Sequence, residues 1–400
     1  MSIVAVPSVH RPRRLAWLLT GLVLAAGAAA AVRLVAFPGA SAPARPELQR
    51  VLDGLVTGAG RVAPGATAYV SGPHGTWSGA AGVADVATGR PMPVDARMRL
   101  ESVSKAWTAT LVLQLVGEGR MGLDDTVERW LPGLLPDGGR ITVRELLNHT
   151  SGLVDRNDIG ADPARYIARV HDPALRAELE RLRQRLEANP ALTFPPTLWV
   201  RFVAALPLLA EPGTQYHYAN VGYEIAGLIA EKVAGEPLAT LTERRIVEPL
   251  GLASAAYDPQ GAIAGEHPRG YAVQANGTLV DATDRHGGVG AEGGIVSDAR
   301  DEAHFLTALM QGKLLRPAQL AALKTPPASV ASAYALGVVV DRTPCGVAYQ
   351  HNGGGSAFKT SVFVSGDGSR VAVLLLNGAT VDARGDTAAY AAARRLFCAA

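Results

Sequence analysis

The chain has 400 residues, 48% of them hydrophobic, which suffices for one large core or two modest ones. Its 38 basic and 36 acidic side chains leave a net charge of +2 with no basic block, which argues against a nucleic-acid partner. There is no Gly-rich phosphate loop, no H-E-x-x-H, no G-x-S-x-G elbow and no Cys/His cluster at metal spacing, so a globular enzyme is the default and a metal site is not expected.

Residues 1–44 differ in physical class from the rest. Arg11, Arg13 and Arg14 precede an uncharged, mostly apolar stretch, Leu15 to Val32, and a Pro/Ala/Ser-rich segment follows. This is the pattern of an export element. It is either cleaved after Ala42 or retained as a membrane anchor, and the arginine pair leaves twin-arginine export open. The positive flank stays cytoplasmic and the remainder crosses, so a periplasmic or extracellular location is expected.

Next, Leu48, Val51, Leu52, Leu55 and Val56 repeat at helical spacing and Gly58 ends the pattern. Strands are predicted over Thr67 to Ser71 and Gly75 to Val83, joined by a hairpin at Gly72-Pro73-His74. From Met121 to about Glu292 the chain reads as helices and loops. Helices are predicted at Leu123 to Leu131, Val143 to Leu147, Ala174 to Ala188 and Gly222 to Val233. The charged run Arg176 to Glu187 reads as a solvated helix face.

Strands are then predicted at Tyr334 to Val340, Gly346 to His351, Phe358 to Val364 and Val371 to Leu376, with a closing helix from about Asp382 to Cys398. Strands at both ends around a helical middle imply one antiparallel sheet assembled from the two termini, with a helical lobe inserted. The expected organisation is one α/β (α+β) domain over 45–400. Its sheet lobe covers about 45–120 and 290–400, and its helical lobe about 121–289. Cys345 and Cys398 could pair in an oxidising compartment, which the sequence leaves undecided.

Lys105 is the only charged residue between Val103 and Gly117, a run apolar on every face of a helical projection. Burying an ammonium is costly unless something pairs or uses it. Ser102 stands three residues earlier, so a hydroxyl and an amine share one face at the helix start. Burial disfavours the charged amine and makes it a competent base for a serine that is otherwise a poor nucleophile. Unpaired N–H groups at the same helix start suit an oxyanion.

Two further motifs follow. Tyr218 and Asn220 stand on a loop after the Pro212-Gly213 turn, and His351-Asn352-Gly353-Gly354-Gly355 ends a strand in a glycine-rich turn. The ordered set Ser102-Val103-Ser104-Lys105, Tyr218-Ala219-Asn220 and His351-Asn352-Gly353 resembles the serine β-lactamase and penicillin-binding-protein family. The resemblance is to the branch of class C β-lactamases, D-alanyl-D-alanine carboxypeptidases and related esterases. The flanks Met98 to Pro132, Leu146 to Leu153 and Gly293-Gly294 resemble it as well.

The resemblance implies the β-lactamase/transpeptidase-like fold and an acyl-enzyme on Ser102. Lys105 would be the base and Tyr218 a proton shuttle, with no cofactor. Asn220 would contact the acyl side, and His351, with Asn352 and Gly353, would line the opposite wall. The backbone N–H groups of Ser102 and Gly354 would hold the oxyanion. His149 and Ser151 are expected to be architectural.

The implied substrates are a peptidoglycan stem peptide, a β-lactam or a small ester, and a monomer is expected. A D-alanyl-D-alanine carboxypeptidase leads. A carboxylesterase comes second, and a silent penicillin-binding receptor is a third reading. His351 replaces the lysine of class C enzymes, which argues against efficient β-lactam hydrolysis, and Asn352 stands where a hydroxyl residue is usual, which weakens the case for a D-Ala terminus. The stretch Val154 to Ala210 is long for the family.

Overall fold

The computed structural model describes residues 45–58, 61–160, 162–189, 194–285, 290–380 and 382–400, so the expected export element lies outside the described residues. Seven strands form the main sheet: β1 (Gly65–Gly72), β2 (Gly75–Asp85), β3 (Arg90–Pro91), β4 (Val339–Thr343), β5 (Gly346–Gly354), β6 (Lys359–Ser365) and β7 (Val371–Leu376). Their spatial order is β3-β2-β1-β7-β6-β5-β4, antiparallel throughout. The first and last strands of this set thus lie side by side in the middle, and the sheet is built from both ends of the chain, as expected.

Every residue of β7 is buried, and so are the first six of β1. Such uninterrupted apolar runs need cover on both faces. Helices α1 (Pro46–Val56) and α7 (Arg384–Cys398) pack with Phe363, Leu374 and Leu376 on one side. The other side faces α6 (Ala299–Met310), whose Phe305 stacks on Trp107 of α2 (Ser104–Gly117) with ring centroids 4.0 Å apart. Cys345 and Cys398 form a disulfide that fastens the end of α7 to the β4–β5 turn.

The helical region includes α3 (Arg156–Ile159), α4 (Pro173–Ala188) and α5 (Asn220–Ala234). The charged run in α4 is solvated on one side, where Arg183 pairs with Glu180 and Glu187. Its other side buries Leu175, Leu179 and Leu182, an apolar stripe that the charge reading overlooks.

Three predicted elements need correction. The helix expected over Leu123 to Leu131 shrinks to Val127–Trp130, because Asp125 accepts from the Gly122 N–H and Thr126 caps the turn from outside. The strand expected from Tyr334 begins only at Val339, since Gly337, at φ +82°, turns the chain back so that Ala335 N–H bonds Val338 O. The strand expected to end at His351 runs on to Gly354. There Gly353 pairs with Thr360 and Gly354 with Lys359, so the glycines lie in the ladder and not in a turn.

Candidate active site

A 3₁₀ turn, Glu101–Val103, leads into α2, and Glu101 there has φ +53°. A non-glycine residue in the left-handed region is held only by its surroundings. Here Leu100 N–H bonds Ile295 O, Ile295 N–H bonds Ser104 Oγ, and β5 presses on the turn from the side. A Cβ on Gly353 would stand 2.1 Å from Leu100 O, so only glycine allows that approach.

The turn places Ser102 Oγ 3.0 Å from Lys105 Nζ. Lys105 is fully buried, and Nζ also donates to Asn220 Oδ1 at 2.8 Å and to the Glu292 carbonyl and Oε2, both at 3.0 Å. Burial pushes the amine below the ordinary lysine value. The neighbouring Tyr218 phenol opposes that shift, Arg156 adds to it and Asp155 opposes it. Nζ lies 5.2 Å from the centre of the Tyr218 ring.

Asn220 begins α5, and its backbone N–H and side-chain amide both donate to Asp155, at 2.7 and 3.2 Å. Its amide oxygen is turned onto Lys105, so in this structure the side chain braces the base. His149 sits at φ +61° and accepts from Ala219 N–H at 3.1 Å, while its carbonyl accepts from His217 N–H at 2.8 Å. The His149 ring lies 4.1 Å from the Tyr218 ring, so this histidine holds the tyrosine loop in place. Ser151 is buried and accepts from Leu153 N–H.

A cavity of about 170 Å³ opens over these groups. Ser102, Tyr218, Asn220 and Gly354 line it, together with Glu101, Arg156, Asn157, Glu292 and Gly293. His351, Asn352 and Gly353 are not among its lining residues. The His351 ring points inward, with Nε2 on the Tyr334 hydroxyl at 2.9 Å and Nδ1 on Asn352 O at 2.7 Å, and burial pushes its pKa down to about 3. It backs the site instead of lining the opposite wall, because alternate residues of a strand face opposite ways. Asn352 Oδ1 accepts from the Ser361 hydroxyl, and Gly353 fills the contact with Leu100.

Sequence reasoning missed four contributors. Glu292 touches the lysine, and Arg156 pairs with Glu292. Asp155 caps α5, and Glu101 borders the glycines of β5. Glu292 had a signal, an acid in the otherwise apolar run Ala291 to Val296. Arg156 had none among so many scattered arginines.

A buried amine beside a hydroxyl, with backbone donors at one wall, can carry out acyl transfer. The family model described as Beta-lactamase matches residues 48–396. The chain belongs to the serine β-lactamase family. The comparisons place this β-lactamase-family chain among hydrolases. It is 31% identical to a D-stereospecific amidohydrolase from a Streptomyces species, with a TM-score of 0.69 over 84% of this chain and 95% of that one. It shares the fold of a D-amino acid amidase from Ochrobactrum anthropi SV3, with a TM-score of 0.70 and 24% identity over 88% of this chain and 96% of that one. It is also 33% identical over 178 residues to the esterase EstB of Burkholderia gladioli, a match that covers 43% of this chain and 41% of the esterase. The match thus spans about two fifths of that curated relative's length.

Proposed function

We propose that the chain is an exported serine hydrolase that cleaves small amides or peptides whose acyl part is a D-amino acid. The observation that carries the reading is the buried Lys105 amine 3.0 Å from Ser102 Oγ at the floor of a polar cavity. Neutral Lys105 takes the Ser102 proton as Oγ attacks the carbonyl carbon. The backbone N–H groups of Ser102 and Gly354 receive the oxyanion, and the proton passes through Lys105 and Tyr218 to the leaving amine as its bond to carbon breaks. Water, deprotonated along the same route, then releases the acid and restores Ser102.

The D-amino acid preference draws on the Streptomyces amidohydrolase, which aligns over nearly its whole length. A D-alanyl-D-alanine carboxypeptidase must also hold a terminal carboxylate. The cations near the cavity are engaged, Arg156 with Glu292 and Lys359 with Asp386. An amide or a free peptide N-terminus therefore fits better than the carboxypeptidase substrate expected from sequence. Simple esters are the second reading, favoured by the likeness to EstB. The export pattern before Val32 and the Cys345–Cys398 disulfide support an oxidising compartment.

The test is labelling with a fluorophosphonate and a fluorescent penicillin, with mass mapping of the adduct. It is followed by turnover of D-alanine amide, a stem tripeptide ending in D-Ala-D-Ala, and p-nitrophenyl butyrate. Ser102 should carry the label, Lys105→Ala should lose it, and the D-amide should turn over fastest. Label on another residue discards the mechanism. A stable adduct with no turnover of any substrate favours a silent receptor.

A further inference from the structure

Glu292 joins the lysine base to the inserted helical stretch. Its Oε2 and its own carbonyl oxygen each accept from Lys105 Nζ at 3.0 Å, and its Oε1 pairs with Arg156 at the start of α3. The Lys105 and Glu292 side chains are 0% and 4% exposed, so water cannot screen this contact.

Hydrogen-bond counting gives the contact a consequence. Asn220 Oδ1, Glu292 O and ionised Glu292 Oε2 can only accept. An ammonium has three N–H groups and no lone pair, so these three acceptors occupy it fully and it cannot take the Ser102 proton. A neutral amine has two N–H groups and a lone pair for Ser102, which leaves one acceptor to be satisfied elsewhere. Among the described residues, the cations that pair with Glu292 are Lys105 and Arg156.

We propose that Arg156 is a positioning residue for the base. By binding Glu292 it draws the carboxylate's charge away from Lys105, and so sets the pH at which the amine becomes free to receive the Ser102 proton. The inference rests on the acyl-enzyme reading above. The other groups facing the pair are Tyr218 and Asp155, which favour the ammonium, the buried Tyr223, whose ring lies 5.5 Å from Nζ, and the buried His149 and His351, which feel its charge. Glu224 accepts from Glu292 N–H and is pushed up to about 7 by burial, and Glu101 lies on the cavity wall. Arg156 brings the stretch Val154 to Ala210 into contact with Glu292 and so ties it to the base.

The experiment is the pH dependence of Ser102 acylation by a fluorophosphonate in the full chain. Arg156→Gln should move the acid limb of the rate profile up by about one pH unit, since Glu292 then holds the ammonium alone. Arg156→Lys should restore most of the parent profile. Glu292→Gln should move the limb the opposite way, toward lower pH. A uniform loss of rate in Arg156→Gln with an unmoved limb overturns the proposal, as do shifts of the same sign in both variants. Absence of acylation in the parent chain overturns the hydrolase reading itself, and this proposal falls with it.

Discussion

Gly353 lies so close to Leu100 that a Cβ on the glycine would stand 2.1 Å from the Leu100 carbonyl oxygen and 3.1 Å from Glu101 Cβ. The third-motif strand and the nucleophile turn are therefore one packed unit. Gly353→Ala should push β5 off the turn and misplace Gly354 relative to Ser102. Loss of one oxyanion donor costs about 10²- to 10³-fold in kcat. A fall of that size in ester hydrolysis is expected, with overpacking worth about 1–3 kcal/mol in thermal unfolding. Activity equal to the parent's would show that the two elements are not coupled.

In the proposed mechanism Tyr218 moves protons to and from Lys105, whose amine lies 5.2 Å from the centre of the tyrosine ring. Tyr218→Phe keeps the ring against His149 and removes only the hydroxyl. Loss of a positioned acid–base group costs about 10²- to 10⁴-fold. Because the proposed deacylation also uses the phenol, the variant should accumulate Ser102 acyl-enzyme during ester turnover, visible as a mass increment on the intact chain. A normal steady state without accumulation would remove Tyr218 from the deacylation step.

Buried titratable groups set the pH range of stability. Burial holds His351 down to about 3 and His149 well below the ordinary 6.5. The unfolded chain therefore takes up these protons first, and stability falls as pH drops below 6.5. Burial pushes Glu224 up to about 7 and Glu302 well above the ordinary 4.5. The folded chain holds those protons more tightly, so that contribution is complete below 4.5 and is lost as pH rises, through about 7 for Glu224.

Each group contributes up to about 1.4 kcal/mol per pH unit. The slopes oppose one another between 4.5 and 6.5, where Tm should vary least, with a decline on either side. Glu302 accepts from the Trp107 indole N–H at 3.0 Å, and Glu302→Gln keeps that acceptor. The variant should be clearly more stable than the parent at pH 8 and little changed at pH 5. Equal gains at both pH values would contradict this account.

The Cys345–Cys398 bridge closes a segment whose ends are 53 residues apart in sequence. Chain-entropy reasoning gives about 4 kcal/mol for a loop of that length. Replacing both cysteines by serine should lower Tm by a matching amount and leave fluorophosphonate labelling of Ser102 at 25 °C unchanged. Loss of labelling at a temperature where the variant remains folded would mean that the bridge also shapes the site.

The sequence by itself determined the chemistry that is local. A lone lysine in an apolar run must be buried and either paired or used, and helical spacing puts Ser102 beside it. Likewise the apolar run Val371 to Leu376 must be covered on both faces. These follow from periodicity and desolvation, which act over a few residues. Only the tertiary structure decided which charges meet the amine. Glu292 lies 187 positions from Lys105 and Asn220 lies 115, and no short-range pattern relates them. The facing of His351 was also decided there. Pairing of β5 with β6 out to Gly354 fixes which strand residues turn toward the cavity, and register is a property of two strands together. The amine's burial could be read from one segment, but its counter-charges required the whole fold.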